Sequence, residues 1–295
     1  MMRAPYAAAI AAAVVTAALP ADAQTETPAR APVTVAAVGD IVCQPGDRQN
    51  VCKDAATASL IANRDAAALL TLGDNQYEAG TLTQFRNGYD NTYGRFLPIT
   101  YPSPGNHEYH TSGARGYFDY FGARAKGGPP GYYAFTLNGW RIYSLNTNCD
   151  KVNCGAQQTW LRNDAEANPA LCQAMFMHHP RYSSGDDHGS STVARRFWEV
   201  GLDHKFELAL AGHDHTYERF ARMNAAGGIT KAGIQSFVVG TGGKSLDGFR
   251  SPLTGSRHRY SGFGVLFLTL DPTGYGWDYR TIAGTSRDAG SATCR

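Results

Sequence analysis

The sequence predicts an α/β fold, a four-layer αββα sandwich in which two mixed β-sheets lie between outer helices. Apolar, β-rich runs alternate along the chain with amphipathic helical runs, an order that is typical of sheets covered by helices. Four of the apolar runs stop at a Gly or His and continue at once into polar side chains. Because ligands bind at the carboxyl ends of strands in open α/β sheets, we expect a binding site at those ends.

The individual elements follow from hydrophobic periodicity and from the turn residues between them. The predicted strands cover 33–38, 66–72, 132–137, 140–145, 172–177, 206–211, 234–240, 264–270 and 275–281. The predicted helices cover 54–63, 81–89, 156–167 and 192–200. Asn138-Gly139 is a strong hairpin signal, and a second hairpin is expected around 271–274.

The first 23 residues are predicted to be a signal peptide. A basic start precedes an uncharged apolar run over 4–19, and Ala21-Asp22-Ala23 fits a small-x-small cleavage pattern. This run is short for a membrane span, which needs about 20 apolar residues, and a retained N-terminal anchor is the alternative. Cleavage would give a secreted or periplasmic protein with no need of a membrane, a polar lead-in over 24–32 and one ordered domain over 33–295.

The charge pattern gives no reason to expect nucleic acid or an anionic membrane as a partner. Lys and Arg number 27 against 25 Asp and Glu, for a net charge of +2, and no basic block is present. The sequence indicates no particular oligomeric state.

Six cysteines follow the predicted signal peptide, and an even number behind an export signal predicts three disulfides. The short separations favour Cys43–Cys52 and Cys149–Cys154, which would leave Cys172–Cys294 to hold the C-terminus, although other pairings are possible. None shows the C-x2-C spacing of a structural zinc site. Metal binding or free thiols are the alternative.

Almost every plausible ligand lies in five short clusters. They are GD at 39–40, GDNQY at 73–77, GNHEY at 105–109, MHHP at 177–180 and GHDHTYER at 212–219. An aspartate after a strand, such as Asp40, is commonly a turn residue or a helix cap. GHDH is more informative, because an extended backbone directs His213 and His215 to one side. That pair predicts a metal chelate.

Taken together, the clusters offer two carboxylates, a phenol, an amide and three imidazoles. These candidate metal ligands are Asp40, Asp74, Tyr77, Asn106, His178, His213 and His215. Oxygen donors combined with imidazole suit iron, zinc or manganese, and no thiolate is among them. Each loop also contains a Gly or Pro that would let the backbone approach a crowded site.

The five clusters resemble the signature of the calcineurin-like metallophosphoesterases and are most similar to that of the purple acid phosphatases. In the wider family the first cluster is usually Asp-x-His, whereas here the His position is Val42, and Tyr77 follows Asp74 by three residues. The purple acid phosphatases show both changes together. The resemblance covers about 33–281, and its joint motif set is highly specific.

This resemblance implies a metallophosphoesterase catalytic domain with two metal ions bridged by Asp74. The implied ligands are Asp40, Asp74, Tyr77 and His215 for Fe(III), and Asn106, His178 and His213 to complete the site of Fe(II), Zn(II) or Mn(II). His178 is expected as the ligand rather than His179, because the family usually has a small residue at the second position.

The resemblance also implies residues that contact substrate or donate a proton. His107 follows Asn106 in the GNHE cluster, and His188 lies ten residues after the first histidine of MHHP. Both are expected to be catalytic, and they would bind substrate together with Asn106 and Arg181. Arg181, or alternatively Arg219, would add positive charge if it faces the cleft.

Two further features are interpreted as structural. Glu218 and Arg219 are expected to form an ion pair beside the metal loop. The glycine-rich segment 240–243 lacks the Gly-Lys-Ser/Thr ending of a phosphate-binding loop, and a turn framing the cleft is expected there.

The implied activity is acid phosphatase-like hydrolysis of small-molecule phosphate monoesters by attack of a metal hydroxide. Two cations about 3.5–4 Å apart can clamp the attacking and leaving oxygens of an in-line displacement. A phosphodiesterase or nucleotidase using the same site is the alternative, and a non-catalytic exported metal-binding or adhesion protein is a third possibility. The extra N-terminal β-domain of plant members is not expected here, which argues against plant-like dimerisation.

Overall fold

The computed structural model describes residues 30–44, 46, 52–126 and 128–295, together with six of the first nine residues. The predicted signal peptide and residues 24–29 of the lead-in lie wholly or almost wholly outside the described residues, so export stays a prediction. Within the described part of the chain, no helix is both long and apolar enough to span a membrane.

The described part of the chain contains thirteen strands and six α-helices. The strands are β1 (Val33–Val38), β2 (Ala66–Leu72), β3 (Thr100–Ser103), β4 (Tyr133–Leu137), β5 (Trp140–Ser144), β6 (Gln173–Phe176), β7 (Leu208–Ala211), β8 (Tyr217–Phe220), β9 (Gln235–Val239), β10 (Ser256–Tyr260), β11 (Gly264–Asp271), β12 (Gly274–Thr281) and β13 (Ser286–Thr293). The helices are α1 (Asp54–Ala62), α2 (Leu82–Asn87), α3 (Tyr89–Thr92), α4 (Arg115–Phe121), α5 (Cys154–Ala167) and α6 (Arg195–Asp203). Short 3₁₀ turns connect several of them.

The strands form two mixed sheets, as predicted. The first sheet has the order β13-β12-β11-β1-β2-β3, and the second has the order β10-β8-β9-β7-β6-β5-β4. Strands β1, β2 and β3 are parallel in the first sheet, and β5, β6, β7 and β9 are parallel in the second. Antiparallel strands complete both sheets.

Three hydrophobic layers confirm the αββα arrangement. Successive side chains of β1 point to opposite faces, and Val35 packs in the layer between the two sheets, whereas Ala36 packs among helices α1 to α4. On the outer face of the second sheet, Met175 packs with α5 and α6. Because both faces of the central parallel strands are buried, these strands are mostly apolar, as in β1 (VTVAAV) and β2 (AAALLTL).

The best-predicted elements are those with the clearest local signals. Strands β1 and β2 have the predicted bounds, and α1 ends one residue early. Asn138 and Gly139 both have positive φ, at 48° and 89°, as a type I′ hairpin turn requires. The α6 helix begins at Arg195, three residues later than expected.

All three expected disulfides are present. Cys43 pairs with Cys52, Cys149 with Cys154, and Cys172 with Cys294. The first two close short loops, and the third ties the C-terminus to the start of β6. No free cysteine remains among the six.

Candidate metal centre

Five loops meet where the parallel strands of both sheets end. They follow β1, β2, β3, β6 and β7. Contacts to main-chain oxygens join the two sheets there. Gly39 N donates to Val239 O at 2.9 Å, and the side-chain Nδ1 of His178 lies 2.9 Å from Leu72 O. The sheets therefore bring the loops to one edge of the molecule.

The four ligands predicted for the first metal meet at the hydroxyl of Tyr77. This oxygen lies 3.0 Å from Asp40 Oδ1, 3.1 Å from Asp74 Oδ2 and 3.0 Å from His215 Nε2. His215 Nε2 also lies 3.4 Å from Asp40 Oδ1. Three loops thus place their donor atoms within contact of one another.

The ligands predicted for the second metal meet at Nε2 of His178. This nitrogen lies 2.9 Å from Asn106 Oδ1, 3.1 Å from His213 Nδ1 and 3.3 Å from Asp74 Oδ2. The same Asp74 oxygen contacts Tyr77. Asp74 therefore lies between the two groups of donors, in the position that a bridging carboxylate needs.

The donor set fits metal ions on chemical grounds. Asp40 and His178 are fully buried, and Asp74 and Tyr77 are 2% exposed, yet their ligand atoms converge. Ligand atoms of Asp40, Asp74 and His178 all lie within 4.8 Å of one another. Burying two carboxylates side by side is costly unless a cation balances them, and bound cations at this position would do so.

The electrostatics of the centre favour positive charge. Burial alone would raise the pKa of the Asp74 carboxyl, but the adjacent His178 holds it well below its usual range. Burial opposes the charged form of His178 as well, but the Asp74 carboxylate raises the pKa of this imidazole to about 9. Burial, followed by the charges of Asp40 and Asp74, raises the pKa of Tyr77.

Three predicted ligands have a strained backbone. Asp40, Asp74 and His213 have φ values of 59°, 46° and 75°, in the left-handed region that non-glycine residues rarely adopt. Such conformations cost about 1–3 kcal/mol each and cluster at functional sites. The Asp40 carboxylate also accepts the main-chain N–H of His213 at 2.9 Å, so one ligand holds another in place.

Two glycines allow the ligand-bearing loops to lie in contact with one another. A Cβ atom on Gly105 would collide with the side chain and backbone of Asp74, and one on Gly73 would collide with the ring of His178. Gly73 also has a φ of 84°. Only glycine fits at these two positions without displacing a predicted ligand.

Glu108 is a structural residue of the centre that the sequence analysis did not single out. Its buried carboxylate accepts main-chain N–H groups of Asp74, Asn75, Gln76 and Gly105 at 3.1, 2.8, 3.3 and 2.6 Å. Burial, then the charge of Asp74, raises the pKa of Glu108 to about 7. The sequence feature that could have identified Glu108 is its place in the GNHE cluster, two residues after the predicted ligand Asn106.

Ser245 and Asp247 were also missed, because they lie outside the five clusters. Ser245 Oγ lies 2.6 Å from Nδ1 of His215, and the Asp247 carboxylate accepts the main-chain N–H of His215 at 2.8 Å. Partners of this kind fix the orientation of a metal-binding imidazole. No local sequence signal marks them.

The two predicted substrate histidines lie on either side of the donors. The main-chain N–H of His107 donates to Asp74 Oδ1 at 2.9 Å, and its ring lies 4.3 Å from that of Tyr77. The ring of His188 stacks on His213 at 4.0 Å, with its side chain 42% exposed. Both positions suit contact with a substrate that enters from solvent.

The two arginines have structural partners. Nη2 of Arg181 donates to the carbonyl oxygen of Ala225 at 2.7 Å, and its guanidinium lies over the ring of Tyr182. Nε of Arg219 donates to the Asp288 carboxylate at 2.6 Å. Among the described residues, neither arginine has a recorded contact with a predicted metal ligand.

The expected ion pair between Glu218 and Arg219 is wrong. The two residues are neighbours in β8, and successive strand side chains point to opposite faces. Glu218 accepts hydrogen bonds from the hydroxyls of Ser184 and Ser256 at 2.7 and 2.6 Å, while Arg219 pairs with Asp288.

The glycine-rich segment 240–243 packs beneath the first loops. Gly242 N donates to Gly39 O at 2.9 Å, and Lys244 N donates to Asp40 O at 3.1 Å. The segment therefore supports the loop that carries Asp40, in keeping with the structural role expected of it.

Comparisons with known proteins agree with this site. A sequence model of the calcineurin-like phosphoesterase family matches residues 33–217. Purple acid phosphatase 23 of Arabidopsis thaliana is 28% identical over 149 residues, which cover 44% of this chain and 32% of the plant protein. The matched region is thus about a third of that protein's length.

Solved structures share the fold. The purple acid phosphatase PPD1 from yellow lupin (Lupinus luteus) seeds has a TM-score of 0.71 at 18% identity, over 90% of this chain and 55% of that chain. GAP50, the anchor in the inner membrane complex of Plasmodium, has a TM-score of 0.68 at 14% identity, over 90% of both chains. At these identities the similarity shows the fold alone. Because the family's sequence model spans more than half of the chain and includes all seven predicted ligands, the protein belongs to the calcineurin-like phosphoesterase family.

Proposed function

We propose that this protein is an exported, acid phosphatase-like enzyme that hydrolyses small phosphate monoesters at two metal ions, Fe(III) with Fe(II), Zn(II) or Mn(II). The observation that carries the proposal is the position of Asp74. One of its oxygens lies 3.1 Å from the Tyr77 hydroxyl and 3.3 Å from His178 Nε2, so it belongs to both groups of donors. The similarity to a plant purple acid phosphatase supports the same reading.

The protein's own residues have separate roles in this proposal. Asp40, Tyr77 and His215 would hold the first ion, and Asn106, His178 and His213 the second, with Asp74 shared. When bound, such a pair of ions neutralises phosphoryl charge and lowers the pKa of water. Phosphoryl transfer depends on positioning and charge neutralisation more than on covalent chemistry.

His107 and His188 would bind the phosphate and supply the proton that the leaving oxygen takes up. Nδ1 of His107 lies 2.7 Å from the carbonyl oxygen of Glu78, which can only accept, so Nδ1 carries a proton. Nε2, 4.0 Å from Asp74 Oδ2, is then the atom nearest the donors. The side chain of His188 is 42% exposed, so it would meet a phosphate that enters from solvent. A positioned general acid contributes typically about 10²–10⁴-fold.

The test of activity compares purified wild type with the Asn106→Ala and His213→Ala variants. We expect p-nitrophenyl phosphate to be hydrolysed faster than bis-p-nitrophenyl phosphate, and both variants to lose at least about 10²-fold in kcat/KM. His258→Asn is a matched control, since His258 lies on β10 and belongs to neither group of donors. Full activity of both variants without metal would contradict the proposal, whereas faster diester hydrolysis would favour the phosphodiesterase alternative.

The test of metal identity is a visible spectrum with metal analysis. If Tyr77 binds Fe(III), the protein should be violet through charge transfer, and Tyr77→Phe should remove the colour. A colourless, active protein that contains only zinc would exclude iron and leave the phosphatase proposal standing.

A further inference from the structure

His179, the second histidine of the MHHP cluster, is held beside the predicted metal ligands by the buried Thr147. The hydroxyl oxygen of Thr147 accepts the main-chain N–H of His179 at 3.1 Å and lies 2.8 Å from the ring nitrogen Nδ1. Thr147 is only 1% exposed, and no other hydrogen-bond acceptor for its hydroxyl is recorded among the described residues. Its single proton is therefore donated to Nδ1, which leaves the ring proton on Nε2.

The ring of His179 lies beside the predicted metal ligands and also lines a cavity. Its centroid lies 4.4 Å from that of His213 and 5.0 Å from that of His178. The cavity has a volume of about 500 Å³. Its lining includes His179, Asn106, Tyr109, Asn148, Asp150 and Lys151, and the last two form an ion pair at 2.9 Å.

We propose that His179 is a substrate-binding residue whose Nε2–H donates a hydrogen bond to the phosphate group of an ester, the organic part of which lies in this cavity. The inference rests on the proposed function, since it places the ester's phosphate at the metal donors. The cavity's size is within the range of small-molecule sites. Its amide and phenol groups, together with the Lys151–Asp150 ion pair, suit a polar organic part of sugar or nucleoside size.

Ligand atoms of His178, His179 and His213 lie within 4.8 Å of one another, so distance alone does not distinguish a metal ligand from a substrate-binding residue. The hydrogen bond from the Thr147 hydroxyl to Nδ1 of His179 favours the substrate, because it leaves a proton rather than a lone pair on Nε2. His178 differs, because its Nε2 faces Asn106, His213 and Asp74 directly. Two neighbouring histidines therefore have different tasks.

The first experiment titrates inorganic phosphate into the metal-loaded protein by calorimetry. A hydrogen bond to a charged group is worth enough that His179→Ala should weaken phosphate binding about tenfold to a hundredfold. Metal content should stay at the wild-type value, and His258→Asn should match wild type in both measurements. His179→Gln, which keeps a polar side chain, repeats the test if the alanine variant does not fold.

The second experiment changes Thr147, which orients the imidazole ring, and leaves His179 itself unchanged. Thr147→Val removes the hydroxyl at nearly constant volume and should weaken phosphate binding in the same direction as His179→Ala, whereas Thr147→Ser should restore it. A structural role for Thr147 alone would lower thermal stability in both threonine variants without separating their phosphate affinities.

A third measurement addresses the cavity. A nucleoside monophosphate should be hydrolysed with a higher kcat/KM than methyl phosphate, and Lys151→Ala should reduce that preference. Equal kcat/KM values for the two esters in the wild type would overturn the assignment of the cavity.

The remaining outcomes separate this inference from the proposed function. Loss of metal in the His179 variants would make His179 a metal ligand, and unchanged phosphate affinity would remove it from the site. A wild-type protein that neither binds phosphate nor hydrolyses any ester contradicts the phosphatase proposal itself, and the inference falls with it.

Discussion

At the scale of single residues, the centre is held in shape by groups that are not themselves predicted ligands. The strained Asp74 is fixed through its main-chain N–H by Glu108, which also binds Gly105 in the next loop. The main-chain N–H of His215 is likewise accepted by Asp247, and Ser245 contacts its ring at Nδ1. Backbone strain of about 1–3 kcal/mol at a ligand persists only when such neighbours over-determine it.

Glu108→Gln tests this support. The amide replaces one carboxylate oxygen with an N–H group that faces main-chain donors, so at least one buried N–H loses its acceptor. We expect the free energy of unfolding to fall by about 1–3 kcal/mol, and the metal content to fall with it, as measured by urea unfolding and metal analysis. Glu166→Gln, at an exposed position of α5, is the matched control. An unchanged unfolding midpoint in Glu108→Gln would remove Glu108 from this role.

At the scale of elements, an edge strand of one sheet is tied to a strand of the other. Asp288 of β13 accepts hydrogen bonds from Nε of Arg219 and the hydroxyl of Tyr217, both in β8, at 2.6 and 2.7 Å. Although burial opposes its charged form, these partners hold the pKa of the Asp288 carboxyl below its usual value. Because β8 follows directly after His215, this pairing anchors the last ligand-bearing loop.

Asp288→Asn should therefore have a pH-dependent cost. The carboxyl group has a lower pKa in the folded than in the unfolded state, so its stabilisation is present above about pH 4 and is lost as the pH falls through the folded-state pKa. We expect the variant to be about 1–3 kcal/mol less stable at pH 7, with a smaller difference from wild type below about pH 4. Urea unfolding at several pH values measures this.

The control for this pH series is Asp203→Asn. Asp203 pairs with Arg162 at the surface, where both side chains are largely exposed, and such pairs contribute little. A constant difference between wild type and Asp288→Asn across the whole pH range would show that the loss is one of packing rather than of charge.

At the scale of the whole molecule, the Cys172–Cys294 disulfide closes the longest covalent loop of the three. Its cysteines are 122 residues apart, whereas Cys149 and Cys154 are separated by 5. In the chain-entropy model a long loop of this order stabilises by about 4–5 kcal/mol and a loop of five residues by about 2 kcal/mol. The long loop spans β6 to β13 and so includes most of the second sheet.

Replacing both cysteines of a pair by alanine compares these contributions directly. Cys172→Ala with Cys294→Ala should lower the midpoint of urea unfolding more than Cys149→Ala with Cys154→Ala. If removal of the Cys149–Cys154 disulfide lowers the midpoint more, the entropic ranking is wrong for this protein. Local support of the loop before α5 would then contribute more than constraint of the unfolded chain.

How far the sequence predicts the fold depends on whether the signal is local. Strands β1 and β2 are each apolar except for one threonine, and Asn138-Gly139 specifies a turn by its own backbone preference. Four strands were not predicted, namely β3, β8, β10 and β13. They are short or polar, and β13 reads SRDAGSAT, because an edge strand needs an apolar pattern less than a central one. Pairing with neighbours, rather than composition, makes these segments strands.

The sequence by itself determined the αββα architecture and which residue types stand at the ends of strands, because periodicity and side-chain chemistry are local properties. It favoured the observed disulfide pairing without excluding others, and the structure decided it. Only the tertiary structure decided that one oxygen of Asp74 touches both Tyr77 and His178, that Glu108 holds two loops together and that Thr147 fixes the ring of His179. Those contacts join segments up to about a hundred residues apart, and their distances depend on how the two sheets pack.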